Sequence, residues 1–217
     1  MSTLTLKNIR DLVRSGLNEP STTAITDTEL NSIINDGYIN VAVKGLCYED
    51  KIAVTSIPSS IDIISLLSYN IVRVNYVEYN LGTSALGMTC VLPQAIGYIP
   101  LDGNSPQYWF QWGYYLKIEP MPATATYSLN LFSSCYPTTA MLADDDTPSL
   151  IPSEFHECVY LYAMTFSCFK LRRWEDAIMN YNRFTESVQI KRLEYVSKFA
   201  EVRAVQDVPK TVKVSKK

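Results

Sequence analysis

Apolar residues recur at helical spacing in two segments near the start of the chain. The first segment follows Thr5 and predicts a helix whose apolar stripe consists of Leu6, Ile9, Leu12, Val13 and Leu17. The second begins at Thr26-Asp-Thr-Glu29, which is a capping box: the Thr26 hydroxyl accepts from the Glu29 amide, and the Glu29 carboxylate accepts from the Thr26 amide. Gly45 predicts the end of this second helix. Pro20 predicts a loop between the two.

Two further helices are predicted toward the end of the chain. Ser153 is a candidate N-cap for the first of them, and its apolar stripe consists of Phe155, Val159, Tyr162, Ala163, Phe166 and Phe169. The second runs from Glu175 to about Val202, and its inward-facing residues are predicted to be Ile178, Tyr181, Phe184, Val188 and Leu193. Because residues 170–174 form a very short connection, the two helices should make an antiparallel hairpin.

Between these helical pairs the hydrophobic period changes to two. The pattern predicts five strands, at Ile52–Ile57, Ser60–Leu67, Ile71–Leu81, Trp109–Ile118 and Thr124–Tyr136. A bulge is expected near Tyr76 and Val77. Turn signals separate the strands and suggest connections too short for crossover helices, so an antiparallel sheet is expected.

These elements predict an α+β fold. Residues 1–50 and 151–202 are expected to form an antiparallel four-helix bundle, interrupted by an inserted antiparallel β domain at residues 51–150. Residues 203–217 are basic, contain Pro209 and have few large apolar side chains. They are therefore expected to be an extended C-terminal tail that orders on a partner.

The predicted β region is unusually poor in charge. Residues 52–143 hold 13 aromatic residues but only six charged ones, which are Asp62, Arg73, Glu78, Asp102, Lys117 and Glu119. An isolated domain normally covers its exterior with charged side chains. We therefore expect copies of the same chain or partner proteins to cover much of this surface.

Overall composition disfavours several functional classes. Lys plus Arg total 19 against 22 Asp plus Glu, for a net charge of −3, so there is no positive field to attract nucleic acid. The five cysteines lack metal-binding spacing and are predicted to be free core thiols. No signal segment or run of 18 apolar residues occurs, so the expectation is a soluble protein of a reducing cytosol with no membrane partner.

Few residues suggest chemistry, and no cofactor is predicted. His156 is the only histidine and is expected to be structural. The Asp144-Asp145-Asp146 run lacks the alternating ligands of a calcium loop and predicts a solvated linker. Glu154 and Glu157 could serve as the acid and base of a cell-wall hydrolase, but the positive start of a helix also explains carboxylates there.

An aromatic cluster runs from Tyr108 to Tyr115 and overlaps the start of the predicted strand Trp109–Ile118. Tyr108, Trp109, Trp112 and Tyr115 are candidate interface residues. Alternatively, Trp109, Trp112 and Tyr115 could form a stacking platform of a glycan-binding module. Alternate rings in a sheet core and in an interface would also account for the cluster.

The helical motifs resemble those of a known family. The opening Leu6-x-x-Ile-Arg-x-Leu-Val-Arg14 and the segment Asp27-x-Glu-Leu-x-x-x-Ile-Asn-x-Gly-Tyr38 are similar to the start of phage head-to-tail adaptor (connector) proteins. After the strand-rich middle, Ile151-Pro152 and Trp174-Glu-Asp-Ala-Ile-x-x-Tyr-x-Arg-Phe184 resemble the family's ending. The resemblance covers roughly residues 5–48 and 151–202.

This resemblance implies a structural virion protein of a short-tailed or related phage. Such adaptors form rings, usually of twelve copies, beneath the portal protein, and double-stranded DNA passes through them without sequence-specific binding. Tail nozzle or tail fibre proteins are the further partners, and assembly takes place in the host cytoplasm. The family's C-terminal extension grips the portal, which here corresponds to Arg203, Val205, Val208, Lys210, Val212, Lys213, Val214 and Lys216.

Overall fold

The structure is a computed structural model that describes residues 3–19, 24–58, 60–61, 63–81, 84–98, 105–121 and 126–206. Its helices are α1 (Leu6–Leu17), α2 (Asp27–Gly45), α3 (His156–Lys170) and α4 (Trp174–Gln206). Its strands are β1 (Glu49–Pro58), β2 (Ile63–Ser65), β3 (Ile71–Leu81), β4 (Ser84–Cys90), β5 (Tyr108–Trp112), β6 (Tyr115–Glu119) and β7 (Thr126–Cys135).

Local capping fixes the starts of the first two helices. The Thr5 hydroxyl accepts from the Asn8 amide at 3.2 Å, and the capping box of Thr26 and Glu29 is present, as predicted. The expected Ser153 cap is wrong, because Ser153 begins a short 3₁₀ turn and α3 has no side-chain cap. That turn leads directly into α3 and buries Phe155 in the helical core.

Helix α3 is the centre of the helical part, where it contacts α1, α2 and α4. Gly37 of α2 permits a close approach, because a Cβ placed there would lie 2.9 Å from Cδ1 of Tyr162. The α3–α4 hairpin is antiparallel, as expected, since Cys158 near the start of α3 lies 3.4 Å from Ser187 in the middle of α4.

The inward face predicted for α4 is only partly correct. Phe184 and Val188 are buried, but Ile178, Tyr181 and Leu193 are 57%, 40% and 71% exposed. The apolar stripe of α4 is wider than the surface that α2 and α3 offer it. Several side chains that the pattern assigned to the core therefore face outward.

The seven strands form one sheet in the order β1-β7-β3-β4-β5-β6-β2. β7 lies between β1 and β3 and pairs antiparallel with both. The β3–β7 register shifts between Val74 and Tyr76, beside the predicted bulge. Tyr48 packs against both the helical core and the sheet core and so links the two.

The predicted fold class, an antiparallel four-helix bundle with an inserted antiparallel β domain, is wrong. The described residues form four α-helices and one mixed seven-stranded sheet in which β4 and β5 pair parallel, at Thr89 with Tyr108 and Cys90 with Trp109. A parallel pair needs a connection of about a dozen residues or more. Residues 91–107 provide that length, which the expectation of short connections overlooked.

Two predicted strand boundaries are also corrected. The expected strand Trp109–Ile118 is two strands, β5 and β6, joined by a tight turn at Gly113. β4 was not predicted, because its sequence has few β-branched or aromatic residues. The expected strand Ser60–Leu67 is reduced to β2.

Candidate assembly surfaces

Exposed apolar side chains gather in two places among the described residues. One is the turn between β5 and β6, and the other is the side of the α3–α4 hairpin next to α2. Single exposed apolar residues are normal on a soluble protein, whereas clusters of them mark docking sites. We call the first the hairpin tip, formed by Ile63, Leu67, Trp112, Tyr114 and Tyr115. We call the second the aromatic flank, formed by Tyr162, Phe166, Phe169, Trp174, Ile178 and Tyr181.

The hairpin tip is held by backbone pairing. Trp112 and Tyr115 are opposite each other at the end of the β5–β6 ladder, and Gly113 begins the two-residue turn with a φ of +58°. The amide of Leu66 donates to the carbonyl of Tyr114 at 2.8 Å, and Ser65 of β2 pairs with Tyr115 of β6. These bonds place Leu67 close to the exposed rings.

Gln111 ties this turn to the rest of the sheet. Its Nε2 donates to the Gly113 carbonyl at 2.9 Å, and its Oε1 accepts from the Val74 amide of β3 at 2.8 Å. The turn is thus braced from both sides. The backbone that carries the rings is therefore held in place, which lowers the entropy cost of binding a partner.

The four aromatic residues predicted for an interface separate into two groups. Trp112 is 78% exposed and Tyr115 is exposed beside it, so both belong to the hairpin tip. Trp109 is only 3% exposed and packs in the sheet core, while Tyr108 is half-buried. Trp109 and Trp112 are three residues apart, which places them on opposite faces of the strand. The platform suggested for glycans is therefore not assembled in this structure.

Sequence reasoning missed Tyr114 and Leu67 as members of the hairpin tip. Tyr114 was assigned to the interior of the predicted strand Trp109–Ile118, and Leu67 to the end of the predicted strand Ser60–Leu67. The signal that could have revealed Tyr114 is Gly113, since a glycine flanked by aromatic residues is typical of a tight hairpin turn.

The aromatic flank is a chain of ring contacts along the two helices. Tyr162 and Phe166 have centroids 4.5 Å apart, and Phe169 lies 6.0 Å from Phe166 and 5.7 Å from Trp174. Trp174 is 58% exposed, and Ile178 and Tyr181 continue the exposed surface along α4. The rings therefore pack against one another within the single chain.

Two charges border the aromatic flank. The Lys44 ammonium lies 5.4 Å from the centroid of the Tyr181 ring and 5.0 Å from that of Phe184. The Asp36 carboxylate of α2 is exposed near Tyr162. Burial first, and the Asp36 charge second, raise the pKa of Tyr162 above its ordinary value.

The predicted portal-binding residues lie mostly outside the described part of the chain. Arg203 and Val205 are on the last turns of α4, which runs to Gln206 and is longer than predicted. The predicted boundary at residue 203 therefore falls within α4, and residues 207–217 lie outside the described residues. Val208, Lys210, Val212, Lys213, Val214 and Lys216 are outside the described residues, and their role stays a prediction.

Of the two residues considered for hydrolysis, Glu157 joins α3 to α4 through its carboxylate and Glu154 contacts α4 through its backbone carbonyl. Lys191 of α4 donates to the Glu157 carboxylate at 3.1 Å and to the Glu154 carbonyl at 2.5 Å. Glu157 is therefore in an ion pair beside the helix start. This arrangement explains its presence without a substrate.

The acidic run at residues 144–146 lies in the connection before α3, where Asp144 and Asp145 are exposed as expected for a solvated linker, and it also contacts the start of α1. Leu6 and Lys7 donate their amides to the carbonyls of Asp146 and Asp144, and Arg10 pairs with the Asp144 carboxylate at 2.8 Å. The Asp146 carboxylate accepts from two loop amides, which lowers its pKa below the usual value. The run thus supplies acceptors for the first turn of α1.

The cysteines are free, as predicted, and four of the five are buried. Burial raises the pKa of Cys47 to about 12 and that of Cys135 to about 11, so both remain thiols at neutral pH. The exception is Cys90, which is exposed at the end of β4.

Neither a metal centre nor a membrane-spanning helix occurs among the described residues. Within them, no group of three or more His, Cys, Asp or Glu residues is arranged to bind a metal ion. No described helix combines the length and the apolar character needed to cross a membrane.

Comparison with known protein families shows which family the chain belongs to. Residues 4–213 match the family described as SU10 adaptor protein, and this range includes every helix and strand of the structure. The chain belongs to the SU10 adaptor protein family. A comparison of this SU10 adaptor protein with curated proteins gave no match.

Membership in the SU10 adaptor protein family agrees with the head-to-tail adaptor resemblance of the helical motifs. The chain is therefore a structural adaptor of a phage and a component of the virion, where it interacts with other capsid or tail proteins. The family points to a structural role over a catalytic one. Both exposed apolar surfaces suit such a role, because clusters of exposed apolar side chains are typical of protein–protein contact sites.

The buried His156 should make the stability of this SU10 adaptor protein depend on pH. His156 is 2% exposed, and its Nδ1 accepts from the Leu4 amide at 3.3 Å, which requires an unprotonated Nδ1. Burial lowers the pKa of His156 below its ordinary value of 6.5. The unfolded chain takes up a proton near pH 6.5 while the folded chain does not. The contribution of the unprotonated His156 to the free energy of unfolding is thus fully present above pH 6.5 and falls as the pH drops below that value.

The expected loss is at most about 1.4 kcal/mol per pH unit, which is the limit for one proton. Urea unfolding between about pH 7.5 and about pH 5.5, above the range where carboxylates titrate, measures it. The His156→Gln variant serves as the control and should lose most of this slope. Equal slopes in the two proteins would contradict the assignment.

Proposed function

We propose that this SU10 adaptor protein forms a ring of twelve copies that docks beneath the portal at the head-to-tail junction. The ring extends the DNA channel and provides the platform on which tail components attach. The observation that carries the proposal is the family match over residues 4–213, which includes both helical pairs and the whole sheet. The ring and the docking to the portal are parts of the proposal that rest on the resemblance of the helical motifs to those of connector proteins.

Three features of the chain support this role. The net charge of −3 disfavours retention of passing DNA, because a basic lining would bind phosphates and slow transit. The hairpin tip offers a braced apolar surface for a tail nozzle or tail fibre protein. The aromatic flank lies on the side of the α3–α4 hairpin, where a neighbouring subunit can cover it.

The end of the chain is assigned to the portal. After Tyr195, whose ring contacts Phe155 edge-to-face with centroids 6.1 Å apart, α4 continues to Gln206. The remaining 11 residues of this helix add about 16 Å of length at 1.5 Å per residue. Residues 203–217 contain Lys210, Lys213, Lys216 and Lys217, which suit a partner surface with acidic or carbonyl acceptors.

Deleting residues 203–217 is expected to weaken binding to the portal protein of the same phage by roughly 100-fold, since a long contact strip is lost. Binding is measured by light scattering coupled to gel filtration and by negative-stain imaging of the complex. Circular dichroism of the truncated chain should retain nearly all of the helical signal.

The matched control is Trp112→Ala in the hairpin tip, which the proposal assigns to the tail side, and it should bind the portal like the wild type. If the truncated chain bound as tightly as the full chain, the C-terminal assignment would be lost. If the full chain stayed monomeric in the presence of the portal, the adaptor ring itself would be refuted.

A further inference from the structure

The face of the sheet opposite its core carries a groove that is separate from the hairpin tip and the aromatic flank. It lies across β1, β7 and β3 and has a volume of about 360 Å³. We call it the sheet groove, and its lining includes Glu49, Lys51, Asn75, Tyr76 and Phe132. Its volume is within the range of sites that bind small molecules, which is roughly 300–1,000 Å³.

Two aromatic rings lie side by side in the sheet groove. The centroids of Tyr76 and Phe132 are 5.7 Å apart, and Tyr76 is 39% exposed. Gly87 of β4 makes room for the Tyr76 ring, because a Cβ on Gly87 would overlap with the Tyr76 hydroxyl oxygen. A glycine inside a strand is otherwise unfavourable and often marks such a close approach. The Tyr76 ring thus extends from β3 over β4.

A β-bulge brings an amide to the same face as the rings. The register of β3 on β7 shifts just before Tyr76, which leaves Asn75 as the additional residue. The Asn75 amide nitrogen donates to the Ser134 hydroxyl at 3.0 Å and to the Glu49 carboxylate at 3.3 Å. Ser134 is two residues from Phe132 on β7, so these two side chains share a face. The Asn75 amide and the Glu49 carboxylate therefore lie beside the two rings.

The polar groups around the rings keep unused hydrogen-bonding capacity. The Lys51 ammonium lies 5.3 Å from the centroid of the Phe132 ring and makes no ion pair with a described residue. The Tyr76 hydroxyl has no hydrogen-bond partner in the described part of the chain. Asn75 uses only its amide nitrogen, which leaves its Oδ1 and the second carboxylate oxygen of Glu49 available. The groove thus offers donors and acceptors beside the faces of two rings.

This combination favours a sugar over other ligands. A sugar ring has an apolar C–H face, which stacks on aromatic rings, and a rim of hydroxyl groups, each of which both donates and accepts hydrogen bonds. Nucleic acid is disfavoured, because Glu49 and Asp50 supply two negative charges and Lys51 only one positive charge. An apolar protein segment is disfavoured because it would bury these charged groups without partners.

We propose that the sheet groove binds a neutral glycan. One sugar ring stacks on Tyr76 and Phe132. Its hydroxyl groups hydrogen-bond to the Glu49 carboxylate, the Lys51 ammonium and the Asn75 carbonyl oxygen. This site differs from the tryptophan platform suggested by the sequence, since β1, β3 and β7 assemble it in a single copy. It therefore goes beyond the proposed ring and does not depend on it.

Binding of simple glycans tests the proposal. Maltotriose, cellotriose, mannotriose and the trimer of N-acetylglucosamine are each mixed with the full chain and followed by saturation-transfer difference NMR. At least one of them is expected to bind, with the strongest signals from the C–H protons of one sugar ring. Failure of every one of them to bind would overturn the proposal.

Variants locate the bound glycan. Phe132→Leu keeps an apolar side chain but removes the flat ring, so it is expected to weaken binding by roughly tenfold or more. Glu49→Gln removes a charged acceptor at nearly constant shape and should weaken binding by roughly tenfold. Gly87→Ala should also weaken it, because the added methyl group displaces the Tyr76 ring. The matched control is Tyr114→Leu in the hairpin tip, which should bind like the wild type.

The outcomes separate this proposal from the proposed function. Binding that survives Phe132→Leu and Glu49→Gln, or that is lost in Tyr114→Leu, would overturn the assignment to the sheet groove. Circular dichroism checks the folding of each variant, and Glu49→Gln at its exposed position decides the matter if Phe132→Leu does not fold. A chain that forms rings but binds no glycan refutes only this proposal. A chain that binds glycan but forms no ring on the portal refutes only the proposed function.

Discussion

Replacing Phe184 with alanine is expected to lower the free energy of unfolding by about 3–5 kcal/mol, the usual cost of emptying a core position of a large ring. Phe184 is fully buried between α2, α3 and α4. Its ring meets Tyr162 edge-to-face with centroids 5.4 Å apart, and Lys44 lies 5.0 Å from its centroid. The cavity would open where three helices meet. Urea denaturation followed by circular dichroism measures the loss.

Tyr181→Ala is the matched control for this prediction. Tyr181 is one turn earlier on α4 and also contacts Lys44, but it is exposed. Its loss should cost less than about 1.5 kcal/mol, because Tyr181 keeps 40% of its surface in water, so its removal leaves no closed cavity in the core. A similar cost for the two variants would mean that the aromatic flank, and not the core beneath it, stabilises the helical part.

Leu129→Ala is expected to cost about 2–5 kcal/mol in the sheet. Leu129 is fully buried on β7, which pairs with β1 through Val54 and with β3 through Tyr79. Because β7 lies between two partners, the structure can relax little around the missing side chain, which raises the cost of the cavity. Denaturation followed by tryptophan fluorescence reports it, since Trp109 is buried in the same core.

This variant also tests the predicted division of the chain at residues 50 and 150. The helical core and the sheet core are separate clusters that share only partly buried packing, as at Tyr48. If the two parts are independent units, Leu129→Ala should shift the fluorescence transition and leave the helical circular dichroism transition in place. A single coincident shift would show one cooperative unit. Leu86→Ala, at an exposed position on β4, is the control and should change neither transition by more than about 0.5 kcal/mol.

Much of the helical structure could be predicted because its causes are local. A capping box depends on residues three apart, and α2 begins where Thr26 and Glu29 predict. The short connection after Lys170 forces α3 and α4 into a hairpin whatever surrounds them. The family resemblance rested on these same helical motifs, which is why it was confirmed although the fold class was wrong.

The sheet was harder to predict because its pairings are not local. β3 and β7 follow the two-residue period and were found with nearly correct bounds. The two-residue period does not indicate which strands become neighbours. The parallel pairing of β4 with β5, which residues 91–107 connect, could therefore not be predicted from the pattern. A loop of that length permits several pairings, and only side-chain packing across the sheet selects one.

The candidate surfaces show the same limit. The sequence determined that the chain is rich in aromatic residues, poor in charge through its middle and marked by the helical motifs of its family. Only the tertiary structure decided that Trp109 is covered while Trp112 is exposed, and that Ile178 and Tyr181 lie outside the core. Hydrophobic spacing specifies which residues share a face, whereas exposure depends on whether another element is wide enough to cover that face. Helices α2 and α3 do not cover the whole apolar face of α4. The part that they leave exposed is the aromatic flank, which we propose that a neighbouring subunit covers.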